Sequence, residues 1–175
     1  MIKTEDIVRV GKIWVYRLRE TGEYGDEETK VKTQSSERDV PLHPVLVETL
    51  GFVKYVQFIK KKGHERVFHE LPINPKKKTY HKNVGRFFNE RYLKKIGLKP
   101  TDRKLSFHSF RHSVETHLTE QNVNPRYIDY LQGHAQNGVG GDVYLKGIPP
   151  EQLLKNCVQK IDWGIDFNKL KVKWD

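Results

Sequence analysis

The chain has 175 residues, 36% hydrophobic and 31% charged, with a formal net charge of +10 and a pI near 9.6. That length supports one domain with a real core, and that charge points to a polyanionic partner, nucleic acid before others. No run of about 18 apolar residues exists to span a membrane, and no apolar leader follows Met1-Ile2-Lys3-Thr4. The single Cys157 excludes a disulfide within the chain and argues against a cysteine zinc site, which fits a reducing, intracellular setting.

In chain order, Lys12 to Arg19 alternates apolar and polar residues and predicts a half-buried strand. Gly22 to Asp26 reads as a turn region. Thr29 to Thr33 and Arg38 to Leu42 read as two further short strands, joined by Gln34-Ser35-Ser36-Glu37. Together they predict a small N-terminal antiparallel sheet of three strands. Pro41-Leu42-His43-Pro44 opens a helix on which Val45, Leu46, Leu50, Val53 and Val56 keep a 3.6-residue period. Lys60-Lys61-Lys62-Gly63 closes it, with cations at the negative dipole end and a C-cap glycine. Lys76-Lys77-Lys78 falls in a loop before a second helix, roughly residues 80–96, stopped by Gly97. A third helix starts at Ser106 or Phe107 and runs to about Glu120. A fourth begins at Asn124-Pro125, runs to Leu131 and is closed by Gly133. The glycine-rich Gly138-Val139-Gly140-Gly141 follows. Pro149-Pro150 then starts a last helix to about Ile161. The tail carries Trp163, Ile165, Phe167, Leu170, Val172 and Trp174 without a clear period; it is too apolar to be free, which predicts packing in trans or a fold-back. The whole reads as one mostly helical α+β domain over residues 1–161, followed by a tail over 162–175.

Three segments hold chemistry-bearing residues. In Ser106-Phe107-His108-Ser109-Phe110-Arg111-His112, His108 and Arg111 are three apart and share a helix face, while Phe107, Phe110 and Val114 are expected to point into the core. A guanidinium fork and an imidazole donor at a helix start suit a phosphate. The same two residues would equally serve as a cap and a surface ion pair. In Leu131-Gln132-Gly133-His134, Gly133 ends a helix and His134 is presented in the following loop. Ten residues on stands Tyr144, after the glycines; a phenol is a plausible nucleophile toward a phosphodiester, or else a packed core tyrosine. The third segment is Lys32-Thr33-Gln34-Ser35-Ser36-Glu37-Arg38-Asp39-Val40-Pro41-Leu42, with a lysine on a hairpin that could reach a DNA backbone, donate a proton or remain solvated.

The ordered set of Lys-Thr, Ser, Arg, Val-Pro-Leu, then His-x-x-Arg-His, then Leu-x-Gly-His, then Tyr resembles the catalytic domain of the tyrosine recombinases, the phage integrase family, from residue 1 to about 161. The resemblance implies an active site of Lys32, His108, Arg111, His134 and Tyr144. It implies a DNA strand-breaking and rejoining enzyme that needs no metal or nucleotide cofactor, acting as a tetramer on double-stranded DNA. It further implies a cytoplasmic protein of bacterial, phage or prophage origin. The Lys60–Lys62 and Lys76–Lys78 clusters would hold DNA phosphates. The family's further arginine, in a helix before the sheet, has no counterpart here. Ile2-Lys3-Thr4-Glu5-Asp6-Ile7 resembles the stretch just after that motif, and Arg9, Arg17 and Arg19 do not match it. The chain therefore reads as a fragment lacking its first helices and the family's DNA-clamping domain, and poorly active alone.

Other classes compete. A DNA-binding module without catalysis, or an inactive remnant of an integrase, would keep the basic clusters. A metal-dependent nuclease would need a His/Asp/Glu set at ligand spacing; His108 and His112 come closest but lack the intervening glutamate of a metalloprotease helix. A scaffold using the apolar tail to hold a partner is the fourth.

Overall fold

The structure, a computed structural model, describes residues 1–19, 37–74, 80–98, 105–134, 147–172 and 174. A short turn over Thr4–Asp6 leads into β1 (Ile7–Val10), which doubles back into β2 (Ile13–Leu18). The two are joined by Gly11-Lys12, with Gly11 at φ +58° supplying the left-handed residue that a tight hairpin requires. β3 (Arg38–Pro41) pairs antiparallel with β2, Val15 opposite Pro41 and Leu18 opposite Arg38. The sheet is thus a three-stranded antiparallel β1-β2-β3. Its first strand, Ile7–Val10, was not expected from the sequence. The anticipated strand at Thr29–Thr33 lies outside the described residues, as do the expectations at Gly22–Asp26, Lys76–Lys78 and Gly138–Gly141.

The helix expected from Pro44 to Gly63 is broken. A π-helical turn, Val45–Thr49, is closed by the Leu50 N–H donating to the Val45 carbonyl at 2.8 Å, and α1 (Phe52–Lys61) starts only after Gly51. Gly51 sits at φ +65°, and Trp174 lies 3.5 Å from where its Cβ would be. A left-handed residue under an indole interrupts the apolar period, which the period alone does not register. Next come α2 (His81–Phe87), a π-helical stretch Phe88–Tyr92, and α3 (Leu93–Lys95), covering the expected second helix. α4 (Ser109–Glu120), α5 (Pro125–Gln132) and α6 (Pro150–Asn156) follow.

Two apolar clusters hold these elements together. One joins Leu118 of α4, Ile128 and Tyr130 of α5, Leu153 of α6, and Val123, Ile148, Cys157 and Val158, with Val114 packed against it. The other joins Ile7, Val56 and Val67, flanked by Trp14, Tyr16 and Tyr55. Fully burying each of these aliphatic side chains contributes roughly 1.5–3 kcal/mol. α6 also lies on β2 and β3, so sheet and helices form one body around that interface.

Phe107 and Phe110 do not enter the core as expected: they are 49% and 57% exposed. Phe107 precedes α4, and its N–H donates to Asn89 Oδ1 at 2.9 Å. Phe110 lies one turn before Val114, beyond the core's end, and both rings pack on Phe88 at 5.3–5.4 Å, Phe107 edge-to-face and Phe110 tilted. The tail folds back in cis. Asp166 caps a turn over Phe167–Leu170 that lies against Val45–Thr49, and the Trp174 ring meets Tyr55 at 4.6 Å. Trp163 packs against His117 with ring centroids 4.6 Å apart and the planes tilted.

His43 joins these parts. Its Nδ1 accepts from the Val45 N–H at 3.2 Å. Burial lowers its pKa, opposed by a hydrogen bond to the Ile161 backbone and by the Asp162 charge. A histidine with a depressed folded pKa stabilises the fold fully above its unfolded value near 6.5. That contribution is lost as pH falls through the folded pKa. Thermal melts between about pH 7.5 and about pH 5.5 are expected to show a Tm drop larger by roughly 2 °C than in His43→Asn, whose Oδ1 keeps the acceptor without the titration. Equal drops in both proteins would show that His43 does not set the acid limit.

Candidate active site

α5 is built to end in one place. Asn124 Oδ1 accepts from the Arg126 N–H at 2.9 Å, and Pro125 occupies the first helical position, where a missing N–H costs nothing. At the other end Gly133 adopts φ +69°. Its N–H donates to the Tyr130 carbonyl, and the His134 N–H donates to the Asp129 carbonyl at 3.0 Å. These two bonds form a Schellman turn. They leave the last carbonyls of the helix, Leu131 and Gln132, needing donors.

Two arginines supply them. Arg111, in the first turn of α4, donates from Nη2 to the Gln132 carbonyl at 2.8 Å, and the Gln132 side-chain amide donates back to the Arg111 carbonyl at 3.2 Å. Gln132 is 93% buried, so this reciprocal pair is shielded from water. Arg38, on β3, reaches the Leu131 carbonyl from Nη2 at 3.5 Å. A cation at a helix C-terminus is favoured by the dipole, by about 0.3–1 kcal/mol at an exposed site and more when partly buried. Among the described residues, the other N–H groups of the Arg111 guanidinium have no protein acceptor.

The surroundings keep the acidic groups occupied. Arg17 binds Asp39 through two bonds of 2.8 and 2.9 Å. His134 Nδ1 lies 3.6 Å from Asp129 Oδ1. Burial pushes the phenols of Tyr16, Tyr55 and Tyr130 above their ordinary pKa, which disfavours the phenolate that a nucleophile needs. These three tyrosines are structural.

Of the expected site residues, the structure brings Arg111 and the Gly133-His134 turn together through Gln132. His108 immediately precedes α4, exposed, its ring edge-to-face with His112 at 5.1 Å. An open groove of about 610 Å³, with Ser109, Ser113, His117 and Trp163 in its walls, runs along roughly the opposite face of α4 from Arg111. Lys60, Lys61 and Lys62 are exposed at the end of α1, Lys62 with its ammonium 4.2 Å from the Phe58 ring centroid. Lys32, Tyr144 and Lys76–Lys78 lie outside the described residues. Among the described residues, no group of three His, Cys, Asp or Glu side chains could hold a metal ion. No described helix is long and apolar enough to cross a membrane. Sequence reading missed Gln132 and Arg38 as parts of this site, although Arg38 stands inside the Glu37-Arg38-Asp39-Val40-Pro41 stretch and Gln132 directly before the Gly-His pair.

Gly133 is fixed by its backbone, and its missing side chain makes room for Arg38. Besides its positive φ, a Cβ there would meet the Arg38 guanidinium at 2.5–2.6 Å. Gly133→Ala is expected to destabilise by about 2–3 kcal/mol in denaturant titration, against about 1 kcal/mol for Gly63→Ala. Gly63 has a similar backbone (φ +84°) but nothing within 4 Å. Equal losses would mean that Arg38 yields freely.

The family model described as the phage integrase family matches residues 1–145. No curated protein and no solved structure matches the chain.

Proposed function

The chain belongs to the phage integrase family, and on that premise we propose that it cuts and rejoins DNA through a 3′-phosphotyrosine formed on Tyr144. Membership itself places it among DNA-binding proteins of DNA recombination. The finer reading concerns the chemistry. The Tyr144 oxygen attacks the scissile phosphorus as its proton leaves, the bond to the 5′-oxygen breaks, and Lys32 protonates that leaving oxygen. Arg111 neutralises the non-bridging oxygens as negative charge builds on them. His108 and His134 hydrogen-bond the phosphate or take the tyrosine proton. Religation runs the same steps in reverse: a 5′-hydroxyl attacks the phosphotyrosine and Tyr144 leaves. The linkage energy is kept throughout, so no nucleotide is consumed. The cationic groups supply the charge that a metal would otherwise bring.

The observation that best supports this reading is the Arg111 guanidinium, oriented by the Gln132 carbonyl at 2.8 Å and set one residue before the turn that presents His134. A neutral carbonyl aims the fork without cancelling its charge, which suits an incoming phosphodiester. Residues 1–161 then form the catalytic domain and 162–175 its tail. Lys60–Lys62 and Lys76–Lys78 hold the DNA backbone, and four copies assemble on double-stranded DNA. Backbone contacts of this kind make binding strongly salt-dependent.

A nicked suicide substrate tests the chemistry in the whole natural protein. Covalent DNA capture is expected with the wild type, in EDTA as well as without it. Tyr144→Phe should bind DNA as the wild type does and capture none, and Arg111→Gln should lose about 100- to 1000-fold in capture rate. Capture by Tyr144→Phe would remove the tyrosine from its role; DNA binding without capture by the wild type would make the protein a binding module; loss of activity in EDTA would make it a metal-dependent nuclease.

A further inference from the structure

We propose that Arg38 is a positioning residue of this site: its guanidinium, laid against Gly133, locks the turn that carries His134 and fixes the neighbouring Arg111. The inference rests on the phosphate-site reading above. Three atoms of the Arg38 side chain, Nη1, Cζ and Nη2, stand 2.5, 2.6 and 2.6 Å from the point a Gly133 Cβ would occupy. Such equal distances mean that the flat face of the guanidinium covers the position a Gly133 side chain would take. From that position Nη2 points to the Leu131 carbonyl at 3.5 Å, one residue from the carbonyl taken by Arg111.

The turn cannot move toward β3 without meeting this plane. Arg38 is itself fixed, because its strand register sets it opposite Leu18 and the next residue, Asp39, is held by Arg17 at 2.8 Å. Electrostatics agree with the placement. Burial lowers the Arg38 pKa, the facing Tyr130 raises it, the Arg111 charge lowers it and Tyr16 raises it. Arg38 and Arg111 thus sense each other as like charges.

A lysine cannot perform this task, since a tetrahedral ammonium has no flat face to lay on the glycine. Arg38→Lys therefore separates charge from shape. The full chain, isotope-labelled for NMR, would be titrated with inorganic phosphate as wild type, Arg38→Lys and Arg111→Gln, with His134 ring and Arg111 Nε signals as readouts. In Arg38→Lys the His134 signals are expected to move even without phosphate. Phosphate affinity should fall about tenfold, since small misplacements of positioned groups are costly. Arg111→Gln should abolish phosphate binding while leaving the phosphate-free His134 signals closer to wild type. His134 signals in phosphate-free Arg38→Lys that coincide with wild type would overturn the proposal, whatever phosphate does. Wild-type protein whose Arg111 and His134 ignore phosphate would instead refute the phosphate-site reading, and a displaced His134 in Arg38→Lys would still uphold the positioning role. Should the variant fail to fold, the wild type decides. Two slowly exchanging Nη signals for Arg38 support a locked guanidinium, and one averaged signal refutes it.

Discussion

The end of α5 is the point on which the site depends. A helix must stop with carbonyls unpaired, and here the stop is made by a left-handed Gly133 whose two turn bonds satisfy Tyr130 and Asp129. The remaining carbonyls draw in side chains from far along the chain, Arg38 from the sheet and Arg111 from α4. One unmet need of the backbone thereby joins three elements, β3, α4 and α5. His134 is the first residue beyond that junction, so its position follows from it.

The partners chosen decide what the junction can do. Had Arg111 been paired with a carboxylate, its charge would be largely spent inside the protein. A carbonyl directs the fork and leaves the charge for an anion. The nearby acids are consistent with this division: Asp39 is bound by Arg17, and Asp129 faces His134. The Arg17–Asp39 pair is partly exposed, so it contributes little to stability, of order 0–1 kcal/mol.

Much of this was legible in the sequence. The α+β class, the strands at 13–18 and 38–41, the helices at 81–95, 109–120 and 125–132 and the cap of α5 all follow from periodicity, Asn124-Pro125 and Gly133. What escaped is tertiary. The helix breaks at Gly51, whose left-handed backbone the apolar period does not register, and Trp174 then covers it from more than a hundred residues away. Phe107 and Phe110 carry the right period for the core, but the core ends one turn later, and they pack on Phe88 instead. Strand Ile7–Val10 is only four residues long and gains its meaning from the Gly11 hairpin. For the site, the Gly-His and His-x-x-Arg spacings identify Arg111 and His134 as candidates. The roles of Gln132 and Arg38 need the geometry, because a buried glutamine before a glycine and an arginine in a strand are common and carry no chemistry by themselves.

Stability and function are therefore not separable around this turn. Tyr130 belongs to the main apolar cluster with Leu118, Ile128 and Leu153, and it also faces Arg38 and takes a hydrogen bond from the Asp39 backbone. Packing in the core thus meets Arg38 through one side chain, Tyr130. Protein interiors are dense and yield little, so a cavity at Leu118 or Ile128 would shift Tyr130 before it relaxed elsewhere. A phosphoryl-transfer site benefits from this, because preorganised donors stabilise developing charge only if they do not reorganise when it appears. The proposed nucleophile has the opposite requirement, since it must come to the phosphate. The sequence accordingly places Gly138, Gly140 and Gly141 between His134 and Tyr144, and none between Arg111 and Gln132, the pair that the proposal puts at the phosphate.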